Sequence, residues 1–178
     1  MAFPVVEIIE TDRLEIDEWS KTLVDPTRKT GLEQALIVAL TPKITRYLPL
    51  SMQFPGNYNS IADWISDRAA EARVLSIYVR DTGTFSGLIL LHEDPASDEN
   101  NKCHLGYFFT QDDWGKGYAT EAVSAMVADL AAKAAIHLIA GVDGDNHASM
   151  RVLEKAGFKK SLAQSTKNRA IFEFVSNV

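Results

Sequence analysis

Cysteine is almost absent from this sequence. Cys103 is the single cysteine among 178 residues, so no disulfide can form within the chain. Structural metal clusters usually need several cysteine or histidine ligands at regular spacing, and this chain does not show such spacing. We therefore expect neither a disulfide framework nor a metal site.

Long apolar runs are also missing. No apolar stretch approaches the roughly 20 residues that cross a bilayer as a helix. The first residues, Met1-Ala2-Phe3-Pro4, place no basic segment ahead of an apolar one, so no secretory signal is visible. The sequence therefore predicts a cytoplasmic protein without a membrane partner.

Positive charge is in the minority. The chain has 18 lysines and arginines against 24 aspartates and glutamates, which gives a formal net charge of -6. Nonspecific binding of nucleic acid depends on contacts between Lys or Arg and phosphates, so we expect no nucleic-acid partner. A local basic patch for a phosphorylated cofactor is still compatible with this charge.

One stretch organises the middle of the chain. Residues 105–110 are apolar and aromatic, as in a buried strand, and residues 119–134 carry apolar side chains at helical spacing. The turn between them contains Gly115 and Gly117. A helix start leaves backbone N–H groups unpaired at the positive end of its dipole, and glycine lets phosphate oxygens approach the backbone. The pattern favours an anion-binding turn and a purely structural turn about equally.

This turn matches neither of the two common nucleotide-binding loops. The Walker pattern requires Ser or Thr after the lysine, whereas Lys116 is followed by Gly117. The dinucleotide fingerprint requires a third glycine, and Ala119 and Thr120 stand in that place. The residues of the turn alone therefore do not identify a ligand.

A second stretch has clear helix boundaries. It follows an apolar run at residues 138–142 and begins at Asn146, which suits an N-cap. Lys155 lies in the last turn, and Gly157 suits the position that ends the helix. The sequence therefore predicts a capped helix over residues 147–156.

Together the two stretches resemble the GNAT superfamily of acyl-CoA-dependent N-acetyltransferases. The resemblance rests on Trp-Gly-Lys-Gly-Tyr-Ala-Thr-Glu-Ala at residues 114–122 and on Asn-x-x-Ser-x-x-x-x-Glu-Lys-x-Gly-Phe at residues 146–158. Within the superfamily the chain resembles the branch of ribosomal-protein N-terminal (alanine/serine) acetyltransferases. Its Thr11-Asp12-Arg13-Leu14 is similar to that branch's Thr-Glu-Arg-Leu, and its Leu105-Gly106-Tyr107 is similar to Ile-Gly-Tyr. The resemblance covers residues 9–174.

The resemblance implies acetyl-CoA as co-substrate and assigns residues to it. Phe108, Phe109 and Thr110 would bind the pantetheine arm through the strand backbone, and Asn146 would contact the same arm. The pyrophosphate would be held, mostly through backbone, by the residues of the turn: Trp114, Gly115, Lys116, Gly117, Tyr118, Ala119 and Thr120. Asp112 departs from the family, because many members carry Arg or Gln there, and we expect its carboxylate to point to solvent.

The resemblance also implies direct attack of the amine on the thioester. Many relatives carry a tyrosine seven residues after the asparagine to protonate the leaving thiol, but Leu153 stands there. In the resembled branch a serine three residues after the asparagine can take this role, which points to Ser149. A hydroxyl is a weak acid, so Ser149 either protonates the sulfur or only donates a hydrogen bond to it. The alternatives are that Asn146 and Ser149 only satisfy the helix start.

A base must accept a proton from the amine, directly or through water. The candidates are His104 on the central strand, which we favour, and the adjacent His92 and Glu93 at the end of the neighbouring strand. Histidine titrates near neutrality, whereas a glutamate would need a raised pKa or a chain of waters. Surface or structural roles are the alternatives for each of them, and Glu121 is interpreted as a helix-start charge.

The order of elements predicts one α/β (α+β) domain over residues 1–178, with a GNAT-like central, mostly antiparallel mixed sheet flanked by helices. The N-terminal third would form one wall of the acceptor cleft. Strands are expected at residues 10–17, 74–80, 85–91, 102–110, 137–142, 159–162 and 170–175. Helices are expected at residues 31–40, 58–73, 118–134 and 147–156, with Asp17 or Asp25 capping short helices before them and a polar loop at 92–101.

Three functions are compatible with these observations. The first is transfer of an acetyl group from acetyl-CoA to a primary amine, either a protein N-terminus or a small molecule. The second is a binding module of the same fold that holds acyl-CoA without catalysis, and the third is a structural protein whose turn binds nothing. We favour the first, with the acceptor amine left open and a homodimer as a candidate assembly.

Overall fold

The structure is a computed structural model that describes residues 4–56, 58–93 and 102–177. Its strands are β1 (Ile9–Glu10), β2 (Leu14–Glu18), β3 (Arg73–Val79), β4 (Phe85–Glu93), β5 (Lys102–Phe109), β6 (Ile136–Asp143), β7 (Lys159–Lys160) and β8 (Arg169–Ser176). Among the described residues these eight strands form one sheet in the order β1-β2-β3-β4-β5-β6-β8-β7. Neighbouring strands pair antiparallel, except β5 and β6, which are parallel. The sheet is therefore mixed and mostly antiparallel, as expected.

Helices cover both faces of the sheet. They are α1 (Trp19–Leu23), α2 (Pro26–Ala39), α3 (Pro42–Thr45), α4 (Ile61–Glu71), α5 (Tyr118–Lys133) and α6 (His147–Lys155). Short 3₁₀ turns lie at Leu50–Met52 and Gln111–Asp113. In the part of the chain that the structure describes, no helix is long and apolar enough to cross a membrane.

Two apolar cores lie against the sheet, one on each face. The first packs α5 and α6 on the sheet, and the second packs α1, α2, α3 and α4 on the other face. Strand β4 shows why, because Leu88 and Leu90 belong to the second core whereas Ile89 and Leu91 belong to the first. Successive strand residues point to opposite faces, so a strand that is apolar throughout is buried on both sides.

The first predicted strand is wrong as a single element. The chain bends at Asp12 and Arg13, so β1 pairs with β2 instead of continuing into it. Thr11 closes the bend, since its hydroxyl accepts a hydrogen bond from the Leu14 N–H at 2.9 Å. Asp17 caps no helix. It lies buried in β2, with Lys21 and Arg28 nitrogens each 3.5 Å from its carboxylate.

The helix boundaries of the N-terminal third also differ from expectation. Helix α2 begins at Pro26, well before residue 31, because the Asp25 carboxylate accepts hydrogen bonds from two backbone N–H groups of its first turn. Helix α4 begins at Ile61, after its cap Ser60. The predicted loop at residues 92–101 is partly strand, since β4 includes His92 and Glu93, and residues 94–101 lie outside the described residues.

Candidate active site

A cavity of about 1120 Å³ opens beside the middle of the sheet. Its walls come from β4, β5 and β6, from the first residues of α5 and α6, and from α3 with the segment that follows it. Pockets for one small ligand usually measure about 300–1,000 Å³. The cavity therefore has room for a large ligand, or for two ligands side by side.

The cavity exists because β5 and β6 separate. Their parallel pairing ends with His104 opposite Ile139, although β5 continues to Phe109 and β6 to Asp143, all of them described residues. The separated residues, 105–109 and 140–143, border the cavity. Such backbone edges can hydrogen-bond an extended ligand that carries amides. Thr110 does not belong to this edge, because its N–H donates to the Ser86 carbonyl at 2.8 Å and the residue does not border the cavity.

The turn between β5 and α5 presents its backbone to the same cavity. Gly115 and Gly117 have φ values of +78° and +84°, a region that residues with a Cβ rarely adopt. The space beside Gly115 is open, since an added Cβ would meet nothing within 4 Å. Five N–H groups have no hydrogen-bond acceptor among the described residues, namely those of Gly115, Gly117, Tyr118, Ala119 and Thr120. These five residues border the cavity, which is the arrangement expected for an anion-binding turn.

Side chains before the turn hold it against β5. The Trp114 indole N–H donates to the Phe109 carbonyl at 2.9 Å. The Asp113 carboxylate lies 2.9 Å from the Lys116 ammonium and accepts a hydrogen bond from Thr110 at 2.9 Å. Burial favours a higher pKa for Asp113, but hydrogen bonds, led by that from Lys116, lower the pKa below its usual value. Lys116 therefore faces Asp113 and does not border the cavity, and the nearby Asp112 is exposed, as expected.

At the start of α6 three side chains come together. The Asn146 side chain accepts a hydrogen bond from the Ser149 N–H at 3.1 Å, so Asn146 is the N-cap. The Tyr107 hydroxyl lies 2.8 Å from the Ser149 hydroxyl and 3.3 Å from the Ser149 carbonyl. Burial raises the pKa of Tyr107 to about 12, against a lowering contribution from Ser149. All three residues border the cavity, and so does the buried Leu153, which stands in the place of the absent tyrosine.

The sequence matches the model of the acetyltransferase (GNAT) domain over residues 22–159, more than half of the chain. This chain belongs to the GNAT acetyltransferase family. The match confirms the family and the N-acetyltransferase class that the two glycine-bearing motifs predict. No curated protein matches the chain.

Solved structures of other GNAT enzymes share the fold. RimL, a ribosomal L7/L12 alpha-N-protein acetyltransferase in complex with coenzyme A, has a TM-score of 0.70 at 16% identity, with 96% of this chain and 98% of that chain covered. A Salmonella typhimurium acetyltransferase that modifies the N-terminal serine of L7/L12 has a TM-score of 0.69 at 16% identity, with 96% and 100% covered. The microcin C7 self-immunity acetyltransferase MccE, in complex with acetyl-CoA and AMP, has a TM-score of 0.63 at 18% identity, with 93% of each chain covered.

In this GNAT domain two of the three candidate bases face the cavity. His92 and His104 are directly opposite each other on β4 and β5, and both border the cavity. Glu93 follows on the other side of the strand, opposite the buried Cys103, and does not border the cavity. One Glu93 carboxylate oxygen lies 3.8 Å from Arg73. The strand alternation therefore separates Glu93 from the two histidines.

A hydrogen bond orients the ring of His92. Its Nδ1 lies 2.6 Å from the Glu71 carbonyl, at the end of α4. A carbonyl oxygen can only accept, so Nδ1 carries the proton in this hydrogen bond and Nε2 of a neutral His92 holds the lone pair. The sequence favoured His104 for its place on the central strand just before Gly106 and Tyr107. The Glu71 carbonyl beside His92 has no signature in the sequence.

The remaining wall of the cavity comes from the N-terminal third, as expected. Helix α3 and the residues after it contribute Lys43, Arg46 and Tyr47. The Arg46 guanidinium lies 3.0 Å from the Asp145 carboxylate across the cavity, and the Lys43 ammonium lies 5.4 Å from the Trp114 ring centre. These residues and Tyr107 were not predicted as site residues. Only Tyr107 had a signal, since it belongs to the Leu-Gly-Tyr motif.

Proposed function

We propose that this GNAT enzyme transfers the acetyl group of acetyl-CoA to a primary amine, the α-amino group of a peptide or protein, while both substrates are bound. The observation that carries the proposal is the continuity of the glycine turn with the separated edges of β5 and β6 in one cavity. A turn of unpaired N–H groups fits a pyrophosphate, and an unpaired strand edge fits the amide-bearing arm. The residues present thus fit acetyl-CoA.

Acetyl-CoA supplies the acetyl group as a thioester, which an amine can attack. The N–H groups of Gly115, Gly117 and the first turn of α5 bind the pyrophosphate. The edge of β5 near Phe108 and Phe109 binds the pantetheine arm, and a backbone N–H there stabilises negative charge as it develops on the thioester oxygen. The aromatic rings of both residues are buried in the two cores, so they contribute through backbone.

Ser149 assists departure of the thiol, and Tyr107 orients Ser149. When the Tyr107 O–H donates to Ser149 Oγ, the Ser149 proton is left to point at the sulfur. With a pKa of about 12, Tyr107 stays protonated and is a donor at neutral pH. Full transfer of its proton to a thiolate of ordinary pKa, about 8.5, would be unfavourable. Tyr107 is therefore a positioning residue, and water completes the protonation.

His92 accepts the proton of the amine, directly or through water. Attack requires a neutral amine, whereas an alkylamine with a pKa of about 10 is almost wholly charged at neutral pH. The hydrogen bond from Nδ1 to the Glu71 carbonyl leaves Nε2 as the basic atom. His104, directly across the strand pair, is the second candidate, and Glu93 has less support because it does not border the cavity.

A peptide N-terminus is the proposed acceptor. Two of the structural neighbours act on ribosomal protein L7/L12, which supports an α-amino acceptor for this enzyme. An acidic chain of net charge -6 attracts cationic acceptors generally. The alternative, an acyl-CoA-binding module without catalysis, draws support from Leu153 in place of a tyrosine, and the Ser149–Tyr107 pair supports catalysis instead.

Release of free thiol from acetyl-CoA tests this proposal. We expect thiol to appear with short peptides that start with serine or alanine and to stay at background with the same peptides blocked at the N-terminus. Free amino acids, polyamines and amine antibiotics complete the panel. Thiol release with a small amine and not with any peptide would contradict the proposed acceptor, and none with any amine would favour the binding module.

A further inference from the structure

The opening motif, residues 11–14, contacts the glycine turn but does not border the cavity. Arg13 Nη1 donates to the Lys116 carbonyl at 2.9 Å, between the two glycines. Arg13 Nε and Nη2 lie 2.7 and 2.6 Å from the same oxygen of Glu121, in the first turn of α5. The other Glu121 oxygen accepts hydrogen bonds from the Thr11 hydroxyl at 2.6 Å and from the Arg13 N–H at 3.1 Å. Glu121 is thus more than the helix-start charge that the sequence suggested.

We propose that Arg13, held by Glu121, is a positioning residue that fixes the Gly117 N–H toward the pyrophosphate of acetyl-CoA. This inference rests on the proposed function, since it assigns a role toward the same ligand. Arg13 would act without touching that ligand. Gly117 borders the cavity and, among the described residues, Arg13 is not one of those that do.

The orientation follows from the planarity of the peptide bond. The C=O and N–H of a trans peptide point in opposite directions. A hydrogen bond that draws the Lys116 carbonyl toward Arg13 therefore turns the N–H of Gly117 away from Arg13, to the side of the cavity. An added Cβ on Gly117 would lie 3.5 Å from Arg13 Nη2, so the guanidinium is next to this peptide.

The glycine turn needs support from Arg13 because few hydrogen bonds within the turn fix its conformation. Gly117 is the N-cap of α5 and has no side chain that could accept a capping hydrogen bond. Glycine also has the largest backbone freedom, so an unsupported turn would lose much entropy when it orders around an anion. The Arg13–Glu121 pair removes part of that freedom before the ligand arrives, which is preorganisation.

Glu121 has a second effect on the turn. A carboxylate in the first turn of α5 would by itself repel a pyrophosphate bound at that helix start. Arg13 neutralises it with hydrogen bonds to the same carboxylate group, and the Arg13 guanidinium lies 4.7 Å from the Tyr118 ring centre. Loss of Arg13 would therefore free the turn and leave an unpaired negative charge near it.

Substitution Arg13→Lys tests the proposal, because lysine keeps the charge but lacks the planar fork of nitrogens with which Arg13 bonds Glu121 and the Lys116 carbonyl at once. We expect the KM for acetyl-CoA to rise roughly tenfold or more, with kcat within about twofold of wild type. With S-acetyl-pantetheine, which lacks the pyrophosphate, kcat/KM should stay within about twofold. The matched control is Arg80→Lys, since Arg80 donates to the Thr11 carbonyl at 2.6 Å and does not reach the turn. Arg80→Lys should change neither the KM for acetyl-CoA nor the kcat/KM with S-acetyl-pantetheine.

An unchanged KM for acetyl-CoA in a folded Arg13→Lys protein would overturn the inference. An equal fall in kcat/KM with acetyl-CoA and with S-acetyl-pantetheine would overturn it as well. So would a fall in kcat as large as the rise in KM, because either result indicates general distortion of the site. If thermal unfolding shows that Arg13→Lys does not fold, Glu121→Gln decides in the same assays, with a smaller rise in KM expected. A wild-type protein that does not bind acetyl-CoA would overturn the proposed function together with this inference.

Discussion

The hydroxyls of Tyr107 and Ser149 lie 2.8 Å apart, although Tyr107 is on the central strand β5 and Ser149 is in the first turn of α6. The pair spans the cavity side on which β5 and β6 have separated. The Asn146 cap fixes the Ser149 backbone, and Tyr107 fixes its hydroxyl. One residue of the pair was predicted from the sequence, and its partner explains how a weak acid such as serine can be oriented.

Tyr107→Phe should lower kcat about three- to tenfold and leave the KM for acetyl-CoA nearly unchanged, because one hydrogen bond to Ser149 is lost. Ser149→Ala should lower kcat roughly ten- to hundredfold. The double variant should be no slower than Ser149→Ala, since Tyr107 acts only through Ser149. Tyr78→Phe, on β3, is the control. Additive losses in the double variant would show that Tyr107 and Ser149 act independently.

Gly117→Val should abolish measurable binding of acetyl-CoA, because φ at this position is +84° and a branched side chain cannot adopt it without strain. Isothermal calorimetry on the folded variant gives the affinity. Gly31→Ala is the control, since it lies within α2 with nothing within 4 Å of an added Cβ. It should raise the free energy of unfolding by about 0.5–1 kcal/mol and leave the affinity unchanged. Unchanged affinity in Gly117→Val would place the pyrophosphate elsewhere.

His92→Gln should remove the acidic limb of the pH profile of kcat/KM. A histidine base is active only when neutral, so wild-type kcat/KM should fall on the acidic side of the profile. His104→Gln should keep this limb, and so should Glu93→Gln, whose side chain lies outside the cavity. Loss of the limb in His104→Gln instead of His92→Gln would exchange the roles of the two histidines. If all three variants keep the acidic limb, solvent accepts the amine's proton instead of these side chains.

Glu121 should make stability depend on pH. Burial favours a higher pKa for Glu121, but hydrogen bonds from Thr11 and Arg13 lower it below its usual value. A lowered pKa in the folded state means a stabilisation that is full above the ordinary glutamate pKa and is lost as pH falls through the folded value. Urea unfolding should therefore give wild type a higher free energy of unfolding than Glu121→Gln at pH 7, and this difference should shrink under acid conditions. A difference that is constant with pH would contradict the ion pair.

Local features of the sequence predicted the glycine turn and the start of α6 where the structure has them. Gly115 and Gly117 define their turn without help from distant residues, and Asn146 marks the start of α6 where the structure has it. Alternation along β4 explains why His92 borders the cavity and its neighbour Glu93 does not. The prediction of a mostly antiparallel mixed sheet flanked by helices is confirmed.

Contacts between distant parts of the chain were beyond prediction. Tyr107 and Ser149 are 42 positions apart, and Arg13 and Glu121 are 108 apart. Neither contact follows from propensity or periodicity, because each depends on how the sheet places its strands and helices. The single domain over residues 1–178, the homodimer and the cytoplasmic location stay predictions.

Mass spectrometry of a reaction with isotope-labelled acetyl-CoA tests the central claim most directly. The acceptor is a peptide with a free N-terminal serine, and the same peptide with a blocked N-terminus is the control. Direct transfer predicts one labelled acetyl group on the free α-amine, none on the blocked peptide and none on the enzyme when the peptide is omitted. A labelled enzyme that passes its acetyl group to the peptide, or bound acetyl-CoA that labels no amine at all, would contradict it.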